Sequence, residues 1–412
     1  MKVVISHPTG NAFVRAAAKG LLNEGMLSAF ETTVATFPGN VFDRLSSFSL
    51  FSEFQRRRYD PGLAPFTNTS PLRELGRIAS GKAGLHQLIK HESGIFSVDA
   101  VYQQLDKQVA AGLVKAQKKG ASAVYAYEDG ALFSFSEARR LGLQCLYDLP
   151  IGYWRSARQI MGSEKERWPE WASTLTGFGD SAEKLTRKDN ELLLSDRIFV
   201  ASTFTANTLK DFPGKLAPVE IVPYAFPPVA DHREYLFKSG GRLKILFVGG
   251  LSQRKGIAYL FEAANALSKF VELTVVGQKA INDCPALDKA LGMHRWIPSL
   301  PHNQILEVMR QHDVLIFPSL FEGFGLVITE AMAQGTPVIT TDRTAGPDII
   351  KDNENGWLIE AGSTEALIKA IEKLIHKPDL IAETGQAAME TARQRTWELY
   401  GKELSKAMLH NN

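Results

Sequence analysis

Sulfur is scarce in this chain of 412 residues, which has two cysteines, Cys145 and Cys284. Two thiols make neither a disulfide framework nor a cysteine-based zinc site, and a thiol-poor chain suits a reducing compartment. Long apolar runs are missing too. Nothing reaches the roughly 18 consecutive apolar residues that mark a membrane-spanning helix. The first residues, MKVVISHPTG, run straight into a strand pattern rather than the charged and apolar regions of a secretion signal. The expectation is a cytoplasmic protein whose membrane contact, if any, is peripheral and at the inner face. Charge of one sign is also lacking. The net charge is +2, which gives no argument for nucleic acid as a partner. Finally, no G-x-G-x-x-G follows a strand pattern, which counts against a dinucleotide oxidoreductase.

The length exceeds what one ordinary core fills, so two domains are expected. The second half is the clearer one. Short β-rich runs occur at 244–250 (KILFVGG), 271–277 (VELTVVG), 313–319 (DVLIFPS), 337–341 (PVITT) and 356–360 (GWLIE). Helix-like stretches at 256–269, 303–311, 325–334 and 363–376 separate most of them. This alternation predicts a parallel sheet covered on both faces. The first half repeats the rhythm at 3–7, 124–128, 144–149, 197–201 and 219–223. The expected fold is therefore α/β, with two Rossmann-like doubly wound domains facing across a cleft. Their expected bounds are 1–224 and 229–392, divided at the proline-rich PYAFPP. Two segments interrupt the rhythm, 42–97 and 152–179. Insertions of this length are often functional.

In open α/β sheets ligands sit at the carboxyl ends of strands. Two such ends carry chemistry here. The run PSLFEGFGLVITE (318–330) leaves a strand, passes Glu322-Gly323-Phe324-Gly325, and enters a helix. Glycines allow close backbone approach, and the first N–H groups of a helix suit phosphate or a polar sugar edge. Glu322 in the loop can accept hydrogen bonds from sugar hydroxyls. Glu330, within the helix, can clamp a vicinal diol. A pair of carboxylates is an odd way to hold phosphate alone. It makes sense for a ligand with hydroxyls at both ends of a pyrophosphate, a nucleotide sugar. The other end is Gly249-Gly-Leu-Ser-Gln-Arg-Lys-Gly256. There Arg254 and Lys255 would neutralise a diphosphate leaving group, and such cationic stabilisation is commonly a large catalytic term.

The pairing of Lys255-Gly256 with Glu322 and Glu330 resembles the retaining glycosyltransferases of family 4, which have the GT-B fold. The likeness is nearly continuous in the second half and patchy in the first. It implies that Glu322 contacts the transferred sugar and Glu330 the nucleotide ribose. It implies backbone contacts to sugar and phosphate from Gly323, Phe324, Gly325 and Leu326, and diphosphate binding by Arg254 and Lys255. Ile297, in Trp296-Ile-Pro298, falls where the family's base-binding backbone lies. Gly10 matches a glycine that faces the donor phosphate across the cleft. The stretch 393–412, chiefly Trp397–Leu409, resembles a last helix that crosses back to the first domain. The implied chemistry is transfer of a hexose, with retention, from a nucleoside diphosphate sugar (UDP-sugar favoured) to a hydroxyl acceptor. The resemblance implies no cofactor and no metal, because Arg and Lys carry the charge.

Three departures stand out. Gly250 occupies a position where the family commonly has Arg, and Arg254 supplies a neighbouring charge. The family's Pro-Asn-Gly turn reads Pro223-Tyr-Ala. Asp148 stands where a sugar-contacting His is expected, and is a candidate catalytic residue or a strand-end cap. His7, Glu128 and Asp129 end strands on the same side. Each reads either as an acceptor contact or as a satisfied structural residue. Arg56–Arg58 reads as a solvated face or an anionic-lipid patch. Trp154, Trp168 and Trp171 read as sugar-stacking or lid-packing rings. A GT-B epimerase and a non-catalytic nucleotide-sugar binder stay open beside the transferase.

Overall fold

Residues 1–46, 54–55, 57–235 and 241–409 are described in a computed structural model; Arg56 and residues 410–412 of the expected terminal helix lie outside them. Among the described residues the strands form two wholly parallel sheets. The first contains β1 (Val3–Ser6), β2 (Leu27–Thr32), β3 (Thr67–Thr69), β4 (Ala123–Tyr127), β5 (Gln144–Leu149), β6 (Arg197–Val200) and β7 (Val219–Ile221). The second contains β8 (Leu243–Val248), β9 (Val271–Val276), β10 (Arg295–Ile297), β11 (Val314–Phe317), β12 (Val338–Thr341) and β13 (Trp357–Ile359). The spatial orders are β3-β2-β1-β4-β5-β6-β7 and β10-β9-β8-β11-β12-β13.

These orders decide where ligands can sit. Chain direction across the sheet reverses between β1 and β4 in one sheet and between β8 and β11 in the other. Crevices open at such switch points, beyond the carboxyl ends of the strands. Residues 249–256 follow β8 and residues 318–325 follow β11, so both sequence motifs flank one switch point. His7 follows β1, and Glu128 and Asp129 follow β4, so they flank the other.

The central strands are apolar because helices cover both faces. VVIS in β1 and VLIF in β11 are buried at every position. Helix Ala12–Asn23 turns Phe13, Val14, Ala17, Ala18 and Leu21 inward, the spacing of one helical face. Its neighbour is the terminal helix Trp397–Leu409, which packs back on it from the far end of the chain. Gly20 and Gly401 meet there, with no room for a side chain on either.

The two sheets are bridged by specific contacts. The Ser202 and Thr205 hydroxyls donate to the Gly323 carbonyl at 2.6 and 3.0 Å. The Thr203 N–H donates to Asp348 at 3.0 Å. Tyr224, from the linker, stacks on Phe13 at 4.7 Å and also meets Phe324 at 5.1 Å. Arg395 donates to the Tyr224 carbonyl at 3.0 Å.

Several elements differ from the sequence reading. β2, β3 and β10 were not expected. LSAFET has no cleaner alternation than its surroundings and becomes a strand by pairing with β1, Ile5 opposite Phe30. β3 is three residues long and lies within 42–97, so that segment supplies a sheet edge rather than a pure insertion. Strand ends shift by one or two residues elsewhere.

Candidate functional site

The loop after β8 is set by two local features. Gly256 has φ +69°, and a Cβ there would strike the Pro318 carbonyl, so only glycine lets the two motif loops touch. The Arg254 carbonyl then accepts from Leu320 N–H at 2.9 Å and from the Ser319 hydroxyl at 3.2 Å. This brings the charged residues together. Glu322 Oε2 pairs with Lys255 Nζ and lies 3.3 Å from Arg254 Nη1. Arg254 Nη1 also donates to the Phe321 carbonyl at 2.7 Å. Lys255 Nζ sits 4.8 Å over the Phe317 ring. Burial, and then the adjacent Arg254, push the Lys255 pKa well down, whereas burial alone lowers that of Arg254. The Glu322 carboxylate is the ion-pair partner of Lys255. Two cations share one carboxylate, so the cluster keeps an excess positive charge for an anion.

The loop after β11 presses on the first domain. Gly323 lies against the Pro150 carbonyl so closely that a Cβ could not fit. Its own carbonyl is taken by Ser202 and Thr205, and the Phe324 ring is buried against Tyr224. Of the predicted backbone contacts, these two have their carbonyls engaged within the protein, that of Phe324 by the Ala345 N–H at 2.9 Å. Gly325 precedes helix Leu326–Ala333, whose first N–H groups have no intrahelical carbonyl. Glu330 accepts from His302 Nε2 at 3.0 Å, and that hydrogen bond together with the Glu330 charge raises the His302 pKa. The Ile297 carbonyl receives the Gly277 N–H at 3.0 Å, and Trp296 Nε1 donates to the Gly277 carbonyl at 2.9 Å.

A cavity of about 400 Å³ lies between the sheets. Gly250, Ser252, Arg254, Lys255 and Phe321 line one side of it; Glu128, Asp180 and Lys188 line the other. Apolar side chains from 152–179 and its surroundings, Ile151, Trp154, Met161 and Leu175, form the wall between. Glu128 pairs with the buried Lys188 at 3.2 Å. Burial pushes the Glu128 carboxyl up while the Lys188 charge pulls it down, and the net direction is upward. Asp129 has φ +71° and contacts Lys188 at 3.6 Å and Arg187 at 3.4 Å.

The other first-domain candidates are not on this wall. Asp148 is 4% exposed and accepts from the Tyr125 hydroxyl amid a tyrosine cluster with Tyr127, Tyr224 and Tyr400. Burial lifts its pKa to about 7, although the Tyr125 bond holds it down. His7 is buried edge-on to Tyr127 at 4.7 Å, and its Nδ1 receives the Thr9 N–H at 3.0 Å. Burial lowers its pKa to about 4, so it is neutral near neutral pH. Gly10 packs on Tyr59, and its carbonyl accepts from Arg15 at 2.5 Å.

Sequence reasoning missed Lys188, His302, Ser202 and Thr205. Each acts through a partner more than a hundred residues away or on a separate helix, apart from the Lys188 contact to Glu128, and no local motif marks any of them. Of the tryptophans, Trp171 stacks on Phe261 at 5.8 Å and Trp168 meets Tyr259 at 5.4 Å, so both pack against the second domain. Trp154 lines the cavity, with the Arg155 guanidinium 4.0 Å over its ring. Arg57 is buried and holds the Pro8 carbonyl at 3.0 Å, whereas Arg58 is exposed and pairs with Asp43 at 2.6 Å.

Known proteins resemble this chain in sequence and fold. Residues 229–394 fit the family model described as glycosyl transferases group 1. The D-inositol 3-phosphate glycosyltransferase of Rhodococcus erythropolis is 27% identical over 282 residues, 60% of this chain and 64% of that protein. The chain spans 24% to 64% of the length of the curated relatives it first matches. Among solved structures, sucrose-phosphate synthase from Thermosynechococcus elongatus has a TM-score of 0.67 at 18% identity, covering 99% of this chain and 98% of that one. Anabaena HepE in complex with UDP-glucose has a TM-score of 0.61 at 15% identity, covering 99% of both chains. No helix among the described residues is long and apolar enough to cross a membrane. Residues 229–394 thus resemble the group 1 glycosyl transferases, and the two parallel sheets carry the GT-B fold.

Proposed function

We propose that the chain transfers a hexose, with retention of anomeric configuration, from a nucleoside diphosphate sugar to a hydroxyl acceptor. The observation that carries this reading is the Arg254–Lys255–Glu322 cluster at the β8/β11 switch point, with Glu330 one helix away. The diphosphate would take over the cationic charge that Glu322 now shares. Glu322 would be freed to accept from the transferred sugar, and Glu330 would exchange His302 for the ribose diol. UDP is the favoured nucleotide, in keeping with the UDP-glucose held by HepE.

Departure of the diphosphate creates the charge that Arg254 and Lys255 neutralise. In front-face attack the leaving phosphate itself takes the acceptor proton, so no strong protein base is required. This suits a site where Asp148 is buried and His7 neutral. Glu128 faces the acceptor side of the cavity, paired with Lys188. The same reading divides the chain into an acceptor domain, 1–224 with the terminal helix, and a donor domain, 229–392.

The test is to offer UDP-, GDP- and ADP-sugars and follow thermal stabilisation and slow hydrolysis. One nucleotide should stabilise the protein and be hydrolysed with retention. A protein indifferent to all three overturns the proposal. Conversion of the sugar nucleotide into its epimer, with no transfer, would favour the epimerase instead.

A further inference from the structure

Segment 154–178 belongs in sequence to the first domain, yet its buried Glu164 and Thr174 bond to residues of the second. Glu164 is 7% exposed. Among the described residues its carboxylate meets no cation, and its side-chain hydrogen bonds come from Gln253 Nε2 at 3.0 Å and Tyr259 Oη at 2.8 Å. A buried carboxylate without donors is costly, so this contact is a constraint on both partners. Gln253 is fully buried in turn. Its Oε1 accepts from Ala258 N–H at 3.0 Å, which fixes the start of helix Ile257–Ala266. Its own N–H donates to Thr174 Oγ1 at 2.9 Å, and the Ser252 hydroxyl donates to the Thr174 carbonyl at 2.7 Å. The next two residues are Arg254 and Lys255.

We propose that Glu164 is a positioning residue for the Arg254–Lys255 turn, so that the diphosphate site is complete only while segment 154–178 is docked on the second domain. The proposal rests on the donor reading above and extends it. Opening of the cleft withdraws Glu164 and Thr174 together, and Gln253 loses its outer partners in one step. Donor binding and closure are then coupled, because the ligand binds the docked arrangement more tightly than the open one. The alternative is that Glu164 merely glues two surfaces. It predicts lower stability with unchanged nucleotide affinity in the folded protein.

The experiment is calorimetric titration of the full chain with UDP, GDP and ADP. For the nucleotide that binds, Glu164→Ala should weaken affinity by about tenfold, within the range of site-to-site coupling. Glu164→Gln, which keeps an acceptor toward Tyr259 and Gln253, should recover most of that loss. Glu166→Ala, an exposed neighbour on the same helix, should match wild type. If Glu164→Ala does not fold, Thr174→Val probes the same strap, with an expected loss of about threefold by the same coupling logic. Wild-type binding with an unchanged affinity in folded Glu164→Ala, or in Thr174→Val where that variant stands in, overturns the proposal, even if melting temperature falls. A wild type that binds none of the three overturns the donor reading and this one with it.

Discussion

The two switch points of this molecule are built alike and finished differently. At β8/β11 the strand ends carry glycines, two cations and a carboxylate that all meet in one place. At β1/β4 the strand ends carry His7, Glu128 and Asp129, each already engaged by neighbours in its own domain. The first end has an excess of positive charge awaiting an anion. The second is a nearly neutral network of lysines and carboxylates beside an apolar wall. A doubly wound sheet supplies the crevice; what the loops leave unbalanced decides the ligand.

The largest effect is expected at Lys255. Lys255→Ala should slow donor turnover by about 10²–10³ in kcat, the size seen when one stabiliser of developing charge is removed. Hydrolysis of the sugar nucleotide in single-turnover mode measures it, and a wild-type rate would dissolve the contrast between the two ends. Glu330→Ala should act on binding instead. It should weaken UDP about tenfold, the value of a hydrogen bond to a charged group, with little change in the chemical step. Smaller again is the double change Ser202→Ala with Thr205→Val, which strips both donors from the Gly323 carbonyl. A loss of about 1–3 kcal/mol of stability should follow, read by denaturant unfolding.

The smallest effect on turnover belongs to Asp148. If its place in the tyrosine cluster is structural, Asp148→Asn should leave donor hydrolysis within about threefold, well below the cost of removing a charge-stabilising group. Its signature should appear in stability against pH. The folded pKa is about 7, raised from 3.8, so the folded state holds the proton longer than the unfolded chain. Stability therefore falls as pH rises from about 4 to 7, then levels. Asn removes that slope. His7 runs oppositely, because its folded pKa of about 4 lies below 6.5, and its share of stability is lost as pH falls through that window. A thermal melt series of wild type and Asp148→Asn separates them. An Asn variant with the wild-type slope but no activity would move Asp148 into the catalytic machinery.

The same contrast explains what was legible in the sequence. The second sheet could be read almost whole, because VVG, FPS and the strands around them are apolar runs separated by helices of ordinary length. The meeting of its two motif loops was legible because close backbone approach demands glycine at fixed places, and Gly256 and Gly323 advertise it. β2, β3 and β10 escaped because their strand character comes from pairing, β2 with β1, β3 with β2 and β10 with β9. Lys188 escaped because an amphipathic helix offers many lysines, and only the fold selects the one that faces Glu128. Segment 152–179 was visible as an interruption, but Glu164 meets Gln253 and Tyr259 only after the two domains are brought together.

The most direct measurement is calorimetric titration of wild type with UDP and its sugars, paired with hydrolysis by wild type and Lys255→Ala at equal fold content. A nucleotide-sugar site at β8/β11 predicts saturable binding by wild type and a hydrolysis rate that drops at least about a hundredfold in the variant. Absence of binding to UDP-, GDP- and ADP-sugars alike, or equal rates for the two proteins, would contradict it.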